Sequence, residues 1–256
     1  MSDSIPVFPT PGPMVRLVPV DRPWDWLAKG WRDFLGAPQV SLAYGGVLVA
    51  ISVAITLALY LADEMFLLLP MAAGFMFVAP ALAVGLYETS RRLAAGQPVT
   101  LADAMGAWRR NGSQIATLGL LLMLIHLFWI RIAMLLFPLF FTGNYPPLPD
   151  LLDMFLRPSS LPFLVTGTVI GAGLAAITFM VAAISIPMLL DRDVSVFTAI
   201  ATSVTAVRRN PWPMALWAAI IVVITVGGLV IFYLGLAVAL PLIAHASWHC
   251  YRDLVE

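Results

Sequence analysis

The sequence predicts an all-α polytopic membrane bundle. About six transmembrane helices form three parallel hairpin repeats, each preceded by an interfacial amphipathic helix. Three observations predict it. Hydrophobic residues make up 61% of the chain and charged residues 11%, where a soluble domain carries about 25% charged residues; mean hydropathy is +0.94. The apolar runs reach the roughly 20 residues needed to cross about 30 Å of hydrocarbon. Finally, Ala-Trp-Arg-Arg-Asn-Gly at 107–112 returns as Ala-Val-Arg-Arg-Asn-Pro at 206–211, and a looser copy, Gly-Trp-Arg-Asp at 30–33 followed by Pro38, stands near the start. Each copy ends a short amphipathic stretch and opens an apolar run.

Residues 1–38 are rich in Pro, Asp and Arg and carry no signal peptide, and residues 1–22 read as a flexible cytoplasmic tail. The remainder, 23–256, reads as one six-span membrane domain with repeats at about 24–93, 100–193 and 195–254. The first interfacial helix places Trp24, Leu27, Trp31 and Phe34 at helical spacing. The second places Leu101, Ala104, Met105 and Trp108, with Thr100 and Asp103 forming a capping-box-like start. The third places Phe197, Ile200, Val204 and Val207. Such helices lie at headgroup level, and Gly36 with Pro38, Gly112, and Pro211 with Pro213 turn each into its span through an elbow.

The first span covers about 40–62, stopped by Asp63 and Glu64. The second covers about 65–87, stopped by Glu88, Arg91 and Arg92. The third, about 115–141, contains His126 and Arg131. The fourth covers about 161–190, ending at Asp191-Arg192-Asp193. The run 214–248 is too long for one helix, and Gly227-Gly228 and Gly235 place a tight turn between 227 and 235. Each returning span carries a proline, Pro80, Pro187 or Pro241, which frees the carbonyl four residues back and kinks the helix. In span four Gly167, Gly171 and Gly173 form a small-residue face suited to close helix packing.

Twelve of the 14 Lys and Arg fall on one side of this topology. The positive-inside rule makes that side cytoplasmic, with both termini on it, in a bacterial inner membrane. Arg157 lies opposite and Arg131 lies within a span.

The strings Arg-Pro-Trp-Asp-Trp-Leu-Ala-Lys-Gly-Trp-Arg-Asp at 22–33, Ser-Leu-Ala-Tyr-Gly at 41–45, Leu-Ala-Val-Gly-Leu-Tyr-Glu at 82–88, Pro-Met-Leu-Leu-Asp-Arg-Asp at 187–193 and His-Ala-Ser-Trp-His at 245–249 resemble a bacterial integral-membrane family catalogued only as a domain of unknown function. The resemblance runs from about residue 23 to the C-terminus. It implies the fold and a membrane location, and no established activity. Family members sometimes carry the automatic label of cytochrome c oxidase subunit I, which resembles a twelve-span protein with six metal-ligating histidines. This chain has three histidines.

The candidate sites are few. His245 and His249, four residues apart, share a helix face, and with His126 they are the candidate haem or metal ligands. One cysteine, Cys250, excludes a disulfide framework. Against a metal, no carboxylate is clearly placed to orient the rings, so a cofactor is not expected. Arg131 is the one charge deep in a span. It costs at least about 2.5–3.5 kcal/mol unless it pairs or snorkels, and Asp63 and Glu64 are its expected partners in an ion pair or anion site. Arg91, Arg92, Arg109, Arg110, Arg208, Arg209, Trp31 and Trp108 are the expected lipid-headgroup contacts. No Walker, Rossmann, Gly-x-Ser-x-Gly or His-Glu-x-x-His pattern occurs. The leading expectation is therefore a non-enzymatic accessory or organising protein that binds membrane lipids or another membrane protein complex and not nucleic acid. A small transporter or pore for a small or apolar solute, and a haem or metal redox subunit, are the alternatives.

Overall fold

The computed structural model describes residues 13–141, 148–230 and 233–256. Among them there is helix and no strand. Twelve α-helices run in order: α1 (Arg22–Gly36), α2 (Pro38–Leu61), α3 (Leu68–Leu82), α4 (Val84–Ala94), α5 (Leu101–Gly106), α6 (Gly112–Phe140), α7 (Leu148–Phe155), α8 (Leu161–Ala182), α9 (Ser185–Asp191), α10 (Val196–Arg209), α11 (Pro211–Val230) and α12 (Leu236–Leu254). Short 3-10 turns precede α3, follow α5 and precede α8.

Five segments are long and apolar enough to cross a membrane: Pro38–Leu61, Met65–Leu82, Gly112–Phe140, Pro158–Asp191 and Pro211–Val230. Only 11% of the first and 33% of the fifth are buried in protein. Large apolar side chains such as Ile51, Leu120, Phe128 and Val223 are exposed along them, so these surfaces face lipid. The sixth expected span, α12, does not meet the same criterion. Its first half, Leu236 to Ala244, is apolar, but its second half carries His245, His249 and Asp253, which are buried or half-buried in protein, and the exposed Arg252. Protein contact there replaces the lipid contact that a hydropathy sum detects. The turn before α12 falls where the glycines put it. Tyr233 takes φ 65°, and a Cβ on Gly235 would come 2.7 Å from the Gly228 Cα, so the two glycines let the ends of α11 and α12 touch.

The first described residues and the C-terminal residues meet at one end of the bundle, here the polar end. Val15 bridges Val255, and the Arg16 N–H donates to the Leu254 carbonyl at 2.9 Å. The expected flexible tail is therefore tied down from residue 15, and its first 12 residues lie outside the described ones. Asn210 holds it: the Val18 N–H donates to Asn210 Oδ1 at 2.9 Å and Asn210 Nδ2 donates to the Arg16 carbonyl at 3.0 Å.

Three segments form the centre of the polar end, two following Pro80 and Pro241 and one containing Pro187. Residues 84–90, residues 185–190 and most of 244–251 are buried around their whole circumference. α1, α5 and α10 surround them. Each of these interfacial helices turns inward a face that includes small residues: Gly30 in α1, beside Trp26 and Phe34; Ala104 in α5; and Ala199, Ser203 and Ala206 in α10, beside Val196. A Cβ on Gly30 would come 2.6 Å from the Ala246 backbone nitrogen, so α1 lies directly on α12. The larger apolar residues that mark these helices in the sequence divide: Trp24, Met105 and Phe197 are exposed, while Phe34 is buried and Leu27, Trp108, Ile200 and Val207 pack against the core. The capping box at Thr100 and Asp103 is formed in both directions.

Each interfacial helix joins its span through one residue of nearly the same backbone geometry: Ala37 (φ −140°, ψ 58°), Asn111 (−142°, 53°) and Asn210 (−123°, 56°). The returning helices break near two of the three prolines, at Ala83 and around Ala183–Ile184. The Tyr44 hydroxyl donates to the Leu82 carbonyl at the first break, and the Ile184 N–H donates to Ser203 Oγ at the second. At Pro241 the helix stays continuous. The carbonyl it frees, Ala237 O, faces Gly45, whose missing side chain lets α2 approach.

Candidate functional site: a buried polar layer and lipid-facing crevices

The three histidines occupy three different surroundings. His245 is fully buried between α2 and α4, with both ring nitrogens engaged: Ser41 Oγ lies 3.0 Å from Nε2 and Ser90 Oγ 2.8 Å from Nδ1. His249 Nε2 lies 2.8 Å from Asp33 Oδ2 on α1. The structure thus supplies a carboxylate orienter that sequence spacing could not locate, but serine hydroxyls take the two His245 nitrogens. His126 sits on α6 against Gly74 of α3, and its Nδ1 has no hydrogen-bond partner. Among the described residues no group of three His, Cys, Asp or Glu is placed to hold a metal ion. Cys250 is buried.

Charge at the polar end is largely used within the protein. Glu88 is 3% exposed and receives Arg91 at 2.7 Å and Arg92 at 3.1 Å; Arg92 also reaches Asp103 at 2.8 Å. Burial alone would raise the Glu88 carboxyl. Hydrogen bonds and charge from the two arginines outweigh it and hold the group below its ordinary value. Arg91 and Arg92, expected at lipid headgroups, are thus largely engaged by carboxylates, because the i+3 and i+4 spacing puts both on the Glu88 face. In the other two pairs the second arginine binds a backbone carbonyl: Arg110 donates to Leu190 O at 3.2 Å and Arg209 to Val15 O at 3.1 Å. Arg109 and Arg208 are exposed. Trp31 is 44% exposed and stacks on Phe34, while Trp108 packs against the core. Near the C-terminus Trp26 Nε1 and Arg22 both donate to Asp253, and Tyr251 donates to Asp191 at 2.7 Å while receiving Arg192 at 2.8 Å.

Arg131 does not meet the expected carboxylates. It is exposed on α6, and no ion pair joins it to Asp63 or Glu64 among the described residues. The buried side of α6 runs through Leu118, Leu122, His126 and Trp129. Arg131 lies two residues beyond Trp129, about 200° around the helix, so it faces away from the bundle. That leaves snorkelling as its means of reaching water.

Away from the polar end the helices diverge and leave three spaces. A cavity of about 120 Å³ lies between the returning helices α3, α8 and α12 and is lined by Thr178, Thr225 and Ser247 among apolar side chains; Thr178 Oγ1 has no partner there. A crevice of about 430 Å³ separates α3, α6 and α8, with Phe66, Phe77, Trp129, Phe137 and Phe163 in its walls. A third, of about 400 Å³, separates α2, α3 and α6 and ends at Tyr233. The glycine face of α8 borders the second space. Gly171 accepts the Trp129 indole, 3.0 Å from where a Cβ would stand, and Gly173 meets open space. These glycines make room for a side chain and a crevice instead of a close helix contact. Sequence reasoning missed the crevices because divergence is a property of helix pairs.

No curated protein and no solved structure matches the chain. Residues 68–191, spanning α3 to α9, match the model of a family described as a predicted integral membrane protein, DUF2189, which has no assigned function.

Proposed function

We propose that this protein is a non-enzymatic membrane protein that holds apolar membrane molecules, lipid chains foremost, in the crevices on either side of α3. One observation carries the reading. Two clefts of about 430 and 400 Å³, within the range of ligand sites, are walled almost wholly by apolar side chains between helices whose outer surfaces face lipid. The tight polar end supports it by holding the helix bases together while the far halves stay apart. The chain is placed in a bacterial inner membrane with both termini cytoplasmic, a reading supported by the basic asymmetry of its loops. Exposed Arg109 and Arg208 then face anionic headgroups. A membrane protein complex is the further partner class, tested by co-purification in gentle detergent.

Trp129 tests the crevice reading directly, because it lines the α3/α6/α8 cleft and is 9% exposed. Lipids brominated along the acyl chain should quench its fluorescence in nanodiscs, read as the difference between the wild type and Trp129→Phe. No quenching of that component would contradict the reading. A pore for a small solute is favoured only by the central cavity with its unpartnered Thr178 hydroxyl, and liposome flux tests it.

A further inference from the structure

The two crevices differ in one respect. In the α3/α6/α8 crevice the buried polar group is the Trp129 indole, and its Nε1 already donates to the Pro70 carbonyl at 2.8 Å. The α2/α3/α6 crevice is lined by His126, which is 8% exposed; its Nδ1 is turned toward Gly74 of α3 and has no hydrogen-bond partner there. A buried ring nitrogen left unpaired is costly, so the site is incomplete as the chain alone builds it.

The hydroxyls in the same wall show what would complete it. Ser52 donates to the Leu48 carbonyl and Thr56 to the Ser52 carbonyl, both at 2.9 Å. With the Thr56 proton committed, its 3.1 Å contact with Tyr233 has the Tyr233 O–H as donor. All three hydroxyl protons are thereby used, and acceptor lone pairs remain. A neutral imidazole adds one acceptor nitrogen and one N–H. No charged side chain lines the crevice, so an ionic headgroup would enter it unpaired, at high cost. The complementary ligand is uncharged, brings its own O–H, and is otherwise hydrocarbon.

We propose that the α2/α3/α6 crevice binds a hydroxyl-bearing apolar membrane molecule — a long hydrocarbon ending in an alcohol or phenol — with His126 as the hydrogen-bond partner of its hydroxyl. This inference rests on the crevice reading above and adds the ligand class.

The test uses full-length protein in phosphatidylcholine nanodiscs. A photoreactive long-chain alcohol and its methyl ether, identical otherwise, are crosslinked and mapped by peptide mass spectrometry. The alcohol should label peptides of α2 and α6 around Ser52 and His126 about tenfold more than the ether, the most that one net hydrogen bond supplies. Peptides of α8 around Gly171 should take both probes equally. His126→Leu should abolish the preference and His126→Gln should retain part of it. Equal labelling by the two probes near His126 in the wild type, or an unchanged preference in His126→Leu, overturns the inference. The wild-type comparison decides by itself if a variant fails to fold. Labelling of the α8 peptides with no alcohol preference at His126 sinks only this inference; no labelling of either crevice sinks the crevice reading as well.

Discussion

At the scale of single residues the polar end is held by charges and hydroxyls whose partners are far apart in sequence. Glu88 is the clearest case. Breaking a buried ion pair costs about 3–5 kcal/mol, so Glu88→Gln should destabilise the protein by that order, read from unfolding in detergent. The pH dependence has a definite sign. Because the folded Glu88 carboxyl is held below its ordinary value of 4.5, its contribution is complete above that value and is lost as pH falls through the folded one. The wild type should therefore lose stability on acidification below about pH 4.5, and Glu88→Gln should flatten that limb. Ser41→Ala or Ser90→Ala should each cost about 1–3 kcal/mol, because each leaves a buried His245 nitrogen unpaired. The Glu88–Arg91–Arg92 spacing was legible in the sequence as a stop to a span. Its burial was not, since that depends on α9 and α12 packing over it. The His245 clamp had no sequence signal, with its serines 204 and 155 residues away. Counting residues along α6 gives Arg131 a depth but says nothing about which face of the helix it occupies.

At the scale of elements the sequence was most informative about where helices end. The glycines, prolines and asparagines at 36–38, 111–112 and 210–213 mark the three elbows, because each interrupts helix geometry for a reason local to the backbone. The inward faces of the interfacial helices were read in part: Phe34 and Ala104 are buried, and Leu27, Trp108, Ile200 and Val207 pack against the core, but Trp24, Met105 and Phe197 are exposed, and Gly30 brings two backbones together. α1 is the test. Gly30→Val puts a branched side chain where even a Cβ meets the Ala246 backbone at 2.6 Å. It should cost more than the about 1–3 kcal/mol of ordinary overpacking and free α1 from α12, seen as faster hydrogen exchange in 22–36. Trp31→Ala, on the outward face, should leave that exchange unchanged.

At the scale of the whole molecule, the similar elbow dihedrals and the three buried segments after Pro80, around Pro187 and after Pro241 support a three-unit origin for the bundle. Together with the meeting of the first described and the C-terminal residues, this account expects an even number of crossings, with α12 the sixth. In a Cys250→Ser background, a cysteine at Arg157 should react with an impermeant maleimide from outside the cell, and one at Glu256 should react only after lysis; the reverse pattern would overturn the topology. Hydropathy made the membrane class and the long spans legible. The unequal packing of the two halves was not, because it follows from crossing angles that no single helix encodes. The central claim is that the far halves stand apart to hold membrane molecules, and it is tested most directly by a structure of the protein in lipid nanodiscs. The account predicts elongated density along Trp129 and Phe163 in the α3/α6/α8 crevice and a second density ending at His126. Helices α3, α6 and α8 closed against one another, with no space between them, would contradict it.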